Sequence, residues 1–256
     1  MKTNNLDDEQ KMPLTDHLEE LRSRFIKVLI ALAAGFVVCF LFKERIFGFV
    51  AYPLQCVMPE GSSMIFTGLP EAFFTYLKVS LFASLFLTSP YTLYQTWKFV
   101  SPGLYPTEQK YVVPFVVLST LFFVGGALFA YFLVFPLGFA FFLAFATESI
   151  AAMLSMKEYL SFSMKLLLAF GIMFELPIFM FFSAKIGIID SDVLKKNRKY
   201  AILLIFITAA MLTPPDVVTQ TMMAVPLVLL YELSLWVVKL AERKKKRGTA
   251  DTEDGG

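Results

Sequence analysis

Uninterrupted apolar stretches of roughly 20 residues recur along this chain, and they constrain its fold more than any other feature. A helix rising about 1.5 Å per residue needs about that many residues to cross roughly 30 Å of hydrocarbon. Lipid offers no partner to a backbone N–H or C=O, so such stretches cross it as helices. Composition agrees: 57% of the 256 residues are hydrophobic, 29 are Phe and only 17% are charged, against about a quarter in soluble domains. The chain therefore reads as an all-α membrane protein with six apolar spans, at 25–42, 74–97, 111–135, 163–185, 200–213 and 218–238. The first is too long for the apolar region of a cleaved signal, so it is expected to stay in the membrane.

The flanks set the orientation, because Lys and Arg accumulate on the cytoplasmic side. Six spans place both termini and the segments at 98–110 and 186–199 on one side. There the basic residues number four before residue 25, two in the first segment, four in the second and six from Lys239 onward. The other side holds three, Lys43, Arg45 and Lys157. Both termini are thus expected to be cytoplasmic.

Three regions follow. Residues 1–24 form a leader in which Leu14, Leu18, Leu21 and Phe25 make an apolar stripe and Asp16 with Glu19 resembles a capping box, so an amphipathic helix lying on the interface is expected. Residues 25–238 form one six-span domain. Residues 239–256 form a disordered basic tail, free to touch anionic lipid. The outer loops, 43–73 and 136–162, are rich in Phe, Leu and Met and punctuated by Pro and Gly, which predicts interfacial helices. The fifth and sixth spans are expected to be short; the fifth has about 14 residues, or roughly 21 Å. No internal repeat is visible, unlike an inverted-repeat transporter.

Composition and motifs exclude several functions. A net charge of +2 with no basic face argues against nucleic acid. No phosphate-binding Gly-rich loop is present. The single histidine, His17, lies in the leader, which leaves no intramembrane histidine for a metal site or a Ser-His dyad. Cys39 and Cys56 offer no metal spacing. No enzyme chemistry and no cofactor are expected.

The acids are more informative. Glu175 falls within the fourth span, where a charge costs about 2.5–3.5 kcal/mol, and Pro177 frees the carbonyl of Met173 one turn away. It is either bonded to a neighbouring span, through Gln220 or Thr208, or is a functional polar contact. Glu20 by itself pairs with Arg24 at i,i+4, and Glu108 by itself is a loop acid near Lys110. Asp216, after Pro214 and Pro215 in the outer turn, reads as the N-cap of the sixth span.

Four stretches, His17-Leu18-Glu19-Glu20-Leu21-Arg22, Ser101-Pro102-Gly103-Leu104-Tyr105 with Glu108, Phe170-Gly171 with Phe174-Glu175 and Pro177, and Leu212-Thr213-Pro214-Pro215-Asp216 with Gln220, together resemble the TatC family. That family provides the polytopic receptor subunit of the twin-arginine protein translocase. The resemblance covers about residues 12–240. It implies a core subunit in the bacterial cytoplasmic membrane that binds twin-arginine signal peptides of folded cargo and scaffolds an oligomeric complex with single-span TatA- and TatB-type subunits, driven by the proton motive force. It further implies that Glu20 and Glu108, flanked by Glu19 and Arg22, form the acidic patch for the arginine pair. Glu175 and Gln220 would be intramembrane contacts for the signal or a partner helix. Pro214, Pro215 and Asp216 would make the periplasmic turn. A carboxylate suits the arginines because it takes a guanidinium through two parallel hydrogen bonds. The alternative is a proton-coupled secondary transporter that uses Glu175.

Overall fold

The computed structural model describes residues 14–59, 63–100, 112–147, 153–187, 189–213 and 216–253. In chain order their helices are α1 (Leu14–Leu41), α2 (Lys43–Gln55), α3 (Glu71–Leu87), α4 (Ser89–Val100), α5 (Val112–Phe129), α6 (Phe135–Leu143), α7 (Met156–Phe174), α8 (Leu176–Ile186), α9 (Ser191–Lys196), α10 (Arg198–Leu212) and α11 (Val217–Glu253). The described residues contain no strand beyond an isolated bridge between Ile65 and Ser155. Four helical stretches are long and apolar enough to cross a membrane: Thr15–Leu41, Val113–Leu143, Met156–Lys185 and Val217–Leu240. A fifth results if the bent pair α3–α4 is one span. This is an all-helical, multi-pass membrane architecture.

Each departure from the expected boundaries has a local cause. The leader does not form its own interfacial helix; it is the opening of α1, one unbroken helix of 28 residues. No Gly or Pro falls between Leu14 and Ala34, so nothing ends the helix at the membrane surface. The second span bends by 56° between α3 and α4. Pro90 has no N–H for the carbonyl of Phe86, and the Ser89 hydroxyl donates to that carbonyl instead, at 2.8 Å. The third span does not end at 135. A π-helical turn, Ala130–Val134, lets the Phe135 N–H reach back to Ala130 O, and the extra residue carries the helix through Pro136 into α6. The fourth begins at Met156, its N-cap Ser155 accepting from the Glu158 N–H.

The expected outer loop at 136–162 is thereby taken up largely by α6 and α7, and the segment at 43–73 contains the short helix α2. Pro53 inside α2 frees the carbonyl of Phe49, which accepts from the Tyr131 hydroxyl at 2.6 Å; Tyr159 donates to the next carbonyl, Val50, at 2.7 Å. Two tyrosines on the long helices thus pin α2 to the bundle. The segment expected as the fifth span is α10, 15 residues and about 22 Å long, and it is not among the helices long enough to cross by themselves. The sixth is not short: its apolar part alone has 24 residues. α11 continues through the basic tail to Glu253; Ala, Glu, Lys and Arg are all strong helix formers.

One core cluster joins α2, α5, α6, α7, α10 and α11 around Phe135, Phe139, Leu160, Phe170, Met223 and Leu227. A second, Trp97, Phe115, Val116, Ile178 and Phe182, joins α4, α5 and α8. Close approach of α5 and α7 rests on two glycines: a Cβ on Gly126 would stand 2.5 Å from Phe170 O, and one on Gly171 2.9 Å from the Phe123 ring. Only Gly fits where backbones come this near.

Candidate functional site

At one end of the bundle the start of α1 lies against the end of α4. The His17 and Phe99 rings stack with centroids 4.3 Å apart, so His17 is a packing residue between the two helices. Beside this stack an open cleft of about 390 Å³ is lined by Asp16, Glu19, Glu20, Ser23, Arg24, Lys27, Gln95 and Lys98. On α1 these residues share one face, because positions three and four apart fall together on a helix. Three acids face three bases. Glu20 accepts from Arg24 Nε at 2.9 Å and from Arg24 Nη2, and Arg24 Nη1 donates to Gln95 Oε1 at 3.1 Å. The i,i+4 pair read from the sequence is therefore present and is fastened across to α4. Glu19 lines the cleft. Arg22 is exposed and lies about 200° around the helix axis from Glu20, so it points away. Glu108 lies outside the described residues, as do Pro214 and Pro215.

Glu175 occupies the junction of α7 and α8, half-buried, with its carbonyl accepting from Phe179 N–H at 2.9 Å so that helix resumes directly after it. Its carboxyl faces the Ser119 hydroxyl on α5. Ser119 in turn accepts from Trp97 Nε1 on α4 at 3.0 Å. A polar chain Trp97–Ser119–Glu175 therefore crosses an otherwise apolar layer. One carboxyl oxygen, Oε1, is buried and has no hydrogen bond among the described residues. A buried acceptor left open in this way favours any donor brought to it. Next to it Phe174 lines an apolar groove of about 620 Å³ with Leu121, Phe122, Gly125, Leu128 and Phe129.

Gln220 does not bond to Glu175. Its amide donates across to Phe206 O on α10 at 3.0 Å, holding the α10–α11 hairpin, whereas Thr208 donates within α10 to Leu204 O at 2.9 Å. Asp216 is the N-cap of α11: its Oδ1 accepts from Thr219 N–H at 2.7 Å and its Oδ2 from the Thr219 hydroxyl. Those bonds, the hydroxyl's first and the amide's second, hold the Asp216 carboxyl below its ordinary range.

Sequence reasoning missed one further acid. Glu71, at the start of α3, accepts through Oε2 from Thr67 N–H, Thr67 hydroxyl and Gly68 N–H at 2.7, 2.9 and 3.2 Å. Through Oε1 it accepts from the Ser155 hydroxyl at 3.0 Å and the Lys157 N–H at 3.2 Å. The two chain segments also bond directly, Ile65 N–H to Leu154 O and Met156 N–H to Ile65 O. Glu71 thus staples together the two connections at the end of the bundle opposite the cleft. The one available signal was an acid in the first turn after Gly68-Leu69-Pro70; its distant partners leave no local trace.

The family model for Sec-independent protein translocase protein (TatC) matches residues 16–226. The chain is 55% identical to the Sec-independent protein translocase protein TatC of Desulforapulum autotrophicum over 238 residues, covering 93% of this chain and 88% of that one. It is 48% identical to the protein of the same name from Magnetococcus marinus, covering 97% and 92%. A crystal structure of the twin-arginine translocase receptor TatC superposes with a TM-score of 0.81 at 41% identity, over 88% of this chain and 99% of that one.

Proposed function

This chain belongs to the TatC family and is a subunit of a Sec-independent protein translocase, and on that footing we propose that it is the receptor core, binding twin-arginine signal peptides of folded cargo at its cytoplasmic face. Nothing in the family assignment points to catalysis. The observation that carries the proposal is the cleft between α1 and α4, where the partly buried carboxylate of Glu20 stands among mixed charges at the end of the bundle where α1 begins. A guanidinium can pair there with Glu20, and Glu108, outside the described residues, is the second acid that this reading assigns to the arginine pair. Glu19 adds charge at the rim. Arg22, on the opposite face of α1, is not a direct contact in this reading.

The remaining assignments extend the same proposal. The chain spans the bacterial cytoplasmic membrane six times, through α1, α3–α4, α5–α6, α7–α8, α10 and α11, with both termini cytoplasmic; the uneven distribution of Lys and Arg supports this orientation. The 15-residue α10 spans only if the bilayer thins beside it or its outer turn stays below the surface. The open oxygen of Glu175 offers a hydrogen bond at depth to a signal or partner helix of the TatA or TatB type, and the proton motive force supplies the energy. Gln220 contributes by holding α10 to α11.

Site-specific photo-crosslinking tests the receptor assignment. With a photoreactive residue at Ser23, in the cleft, a twin-arginine signal peptide is expected to crosslink and a twin-lysine control is not; at Arg22 the yield falls. Equal crosslinking of both peptides at both positions contradicts the assignment.

A further inference from the structure

The carboxylate in the cleft is occupied before any ligand arrives. Arg24 directs two N–H groups, from Nε and Nη2, at the single oxygen Oε1 of Glu20, while Gln95 on α4 holds Nη1. The Arg24 and Glu20 side chains are only 14% and 21% exposed. The other oxygen, Oε2, is buried and accepts no hydrogen bond among the described residues. An incoming guanidinium closes its fork on both oxygens of a carboxylate. Here one oxygen already carries two donors and the other has no solvent-facing surface, so the fork cannot close until Arg24 releases Glu20. Lys27 and Lys98, also lining the cleft, add like charge against any cationic ligand.

Resting on the reading of Glu20 as the signal-binding acid, we propose that Arg24 is an internal competitor for that carboxylate and holds down the affinity of the site for any cationic signal. A ligand guanidinium replaces the internal one like for like. An ammonium is a point charge without the planar fork and exchanges two aligned donors for a poorer contact. The rival lowers the affinity of both ligands by one factor, because both must open the same Arg24–Glu20 pair, and the difference between them stays in their own contacts with the carboxylate. Gln95 retains the displaced guanidinium through Nη1, so the exchange needs side-chain rotation and no movement of α1 away from α4.

Equilibrium binding of labelled twin-arginine and twin-lysine signal peptides to the purified full chain tests this, with Arg24→Gln, Arg24→Lys and Glu20→Ala as variants. Arg24→Gln is expected to raise the affinity of both peptides about tenfold, the worth of a charge-assisted bond, and to leave the preference for arginine as it was. Arg24→Lys, which keeps the charge and loses the fork, is expected to raise both affinities part of the way and serves if the Gln variant does not fold. Unchanged or weaker binding of both peptides to Arg24→Gln overturns the competitor role and leaves Glu20 as the binding acid. Unchanged binding to Glu20→Ala overturns the underlying reading itself.

Discussion

Single acids at distinct depths carry the chemistry of this chain, and each makes a different demand on its surroundings. Glu175 has an open oxygen and a serine partner. Glu175→Gln, which keeps hydrogen-bonding atoms, is expected to retain more export activity than Glu175→Leu, which abandons them; equal activity of the two in a cargo-export assay contradicts the polar-contact role. Glu71 is saturated, with five donors on its two oxygens. Glu71→Ala is expected to lower the thermal unfolding midpoint of the purified protein by more than Thr67→Val, which removes one hydroxyl donor of the five. Identical midpoints would show that the staple holds nothing. What the sequence disclosed here was local: the Asp216 cap and the Glu20–Arg24 pair lie within four residues of their partners. Gln95 and Ser155, 71 and 84 residues from the acids' own segments, left no such trace.

At the scale of helices, the apolar blocks were legible and their ends were not. Proline usually ends a helix, which is why 136–162 read as a loop; the π turn before Pro136 and the Ser89 hydroxyl beside Pro90 are local repairs that hydropathy does not encode. The long, unbroken α1 and α11 were underestimated for a related reason, since charged helix formers look like solvated leaders and tails when read apart from the spans they extend. Packing between helices gives a sharper test. Adjacent glycines on α5 differ completely in their surroundings: a Cβ on Gly125 meets nothing within 4 Å, whereas one on Gly126 meets the backbone of Phe170 and the side chain of Phe174 below 3 Å. Gly126→Ala is expected to cost about 1–3 kcal/mol by forcing α5 from α7, and Gly125→Ala to be near neutral. Comparable thermal shifts for the two contradict the close approach.

For the molecule as a whole, the proposed function gives one end of the bundle to cationic signals, while the opposite end is held together by Glu71 and by Tyr131 and Tyr159, which bond to α2. That division requires both termini on the cytoplasmic side. Of the two cysteines, Cys39 is buried and Cys56 is exposed just beyond α2. A membrane-impermeant thiol reagent added to intact spheroplasts is expected to label Cys56, and labelling that appears only after lysis would invert the topology. The central claim, that Glu20 and Glu108 hold the arginine pair, is tested most directly by the affinity of a twin-arginine signal peptide for the purified protein and for Glu20→Ala, Glu108→Ala and the double variant. The expected result is a loss of about tenfold to a hundredfold in each single variant, matching one charge-assisted hydrogen bond, with binding to the unaltered protein weakening as salt rises. Single variants that fold normally and bind as tightly as the unaltered protein would contradict the claim and return both residues to ordinary surface acids.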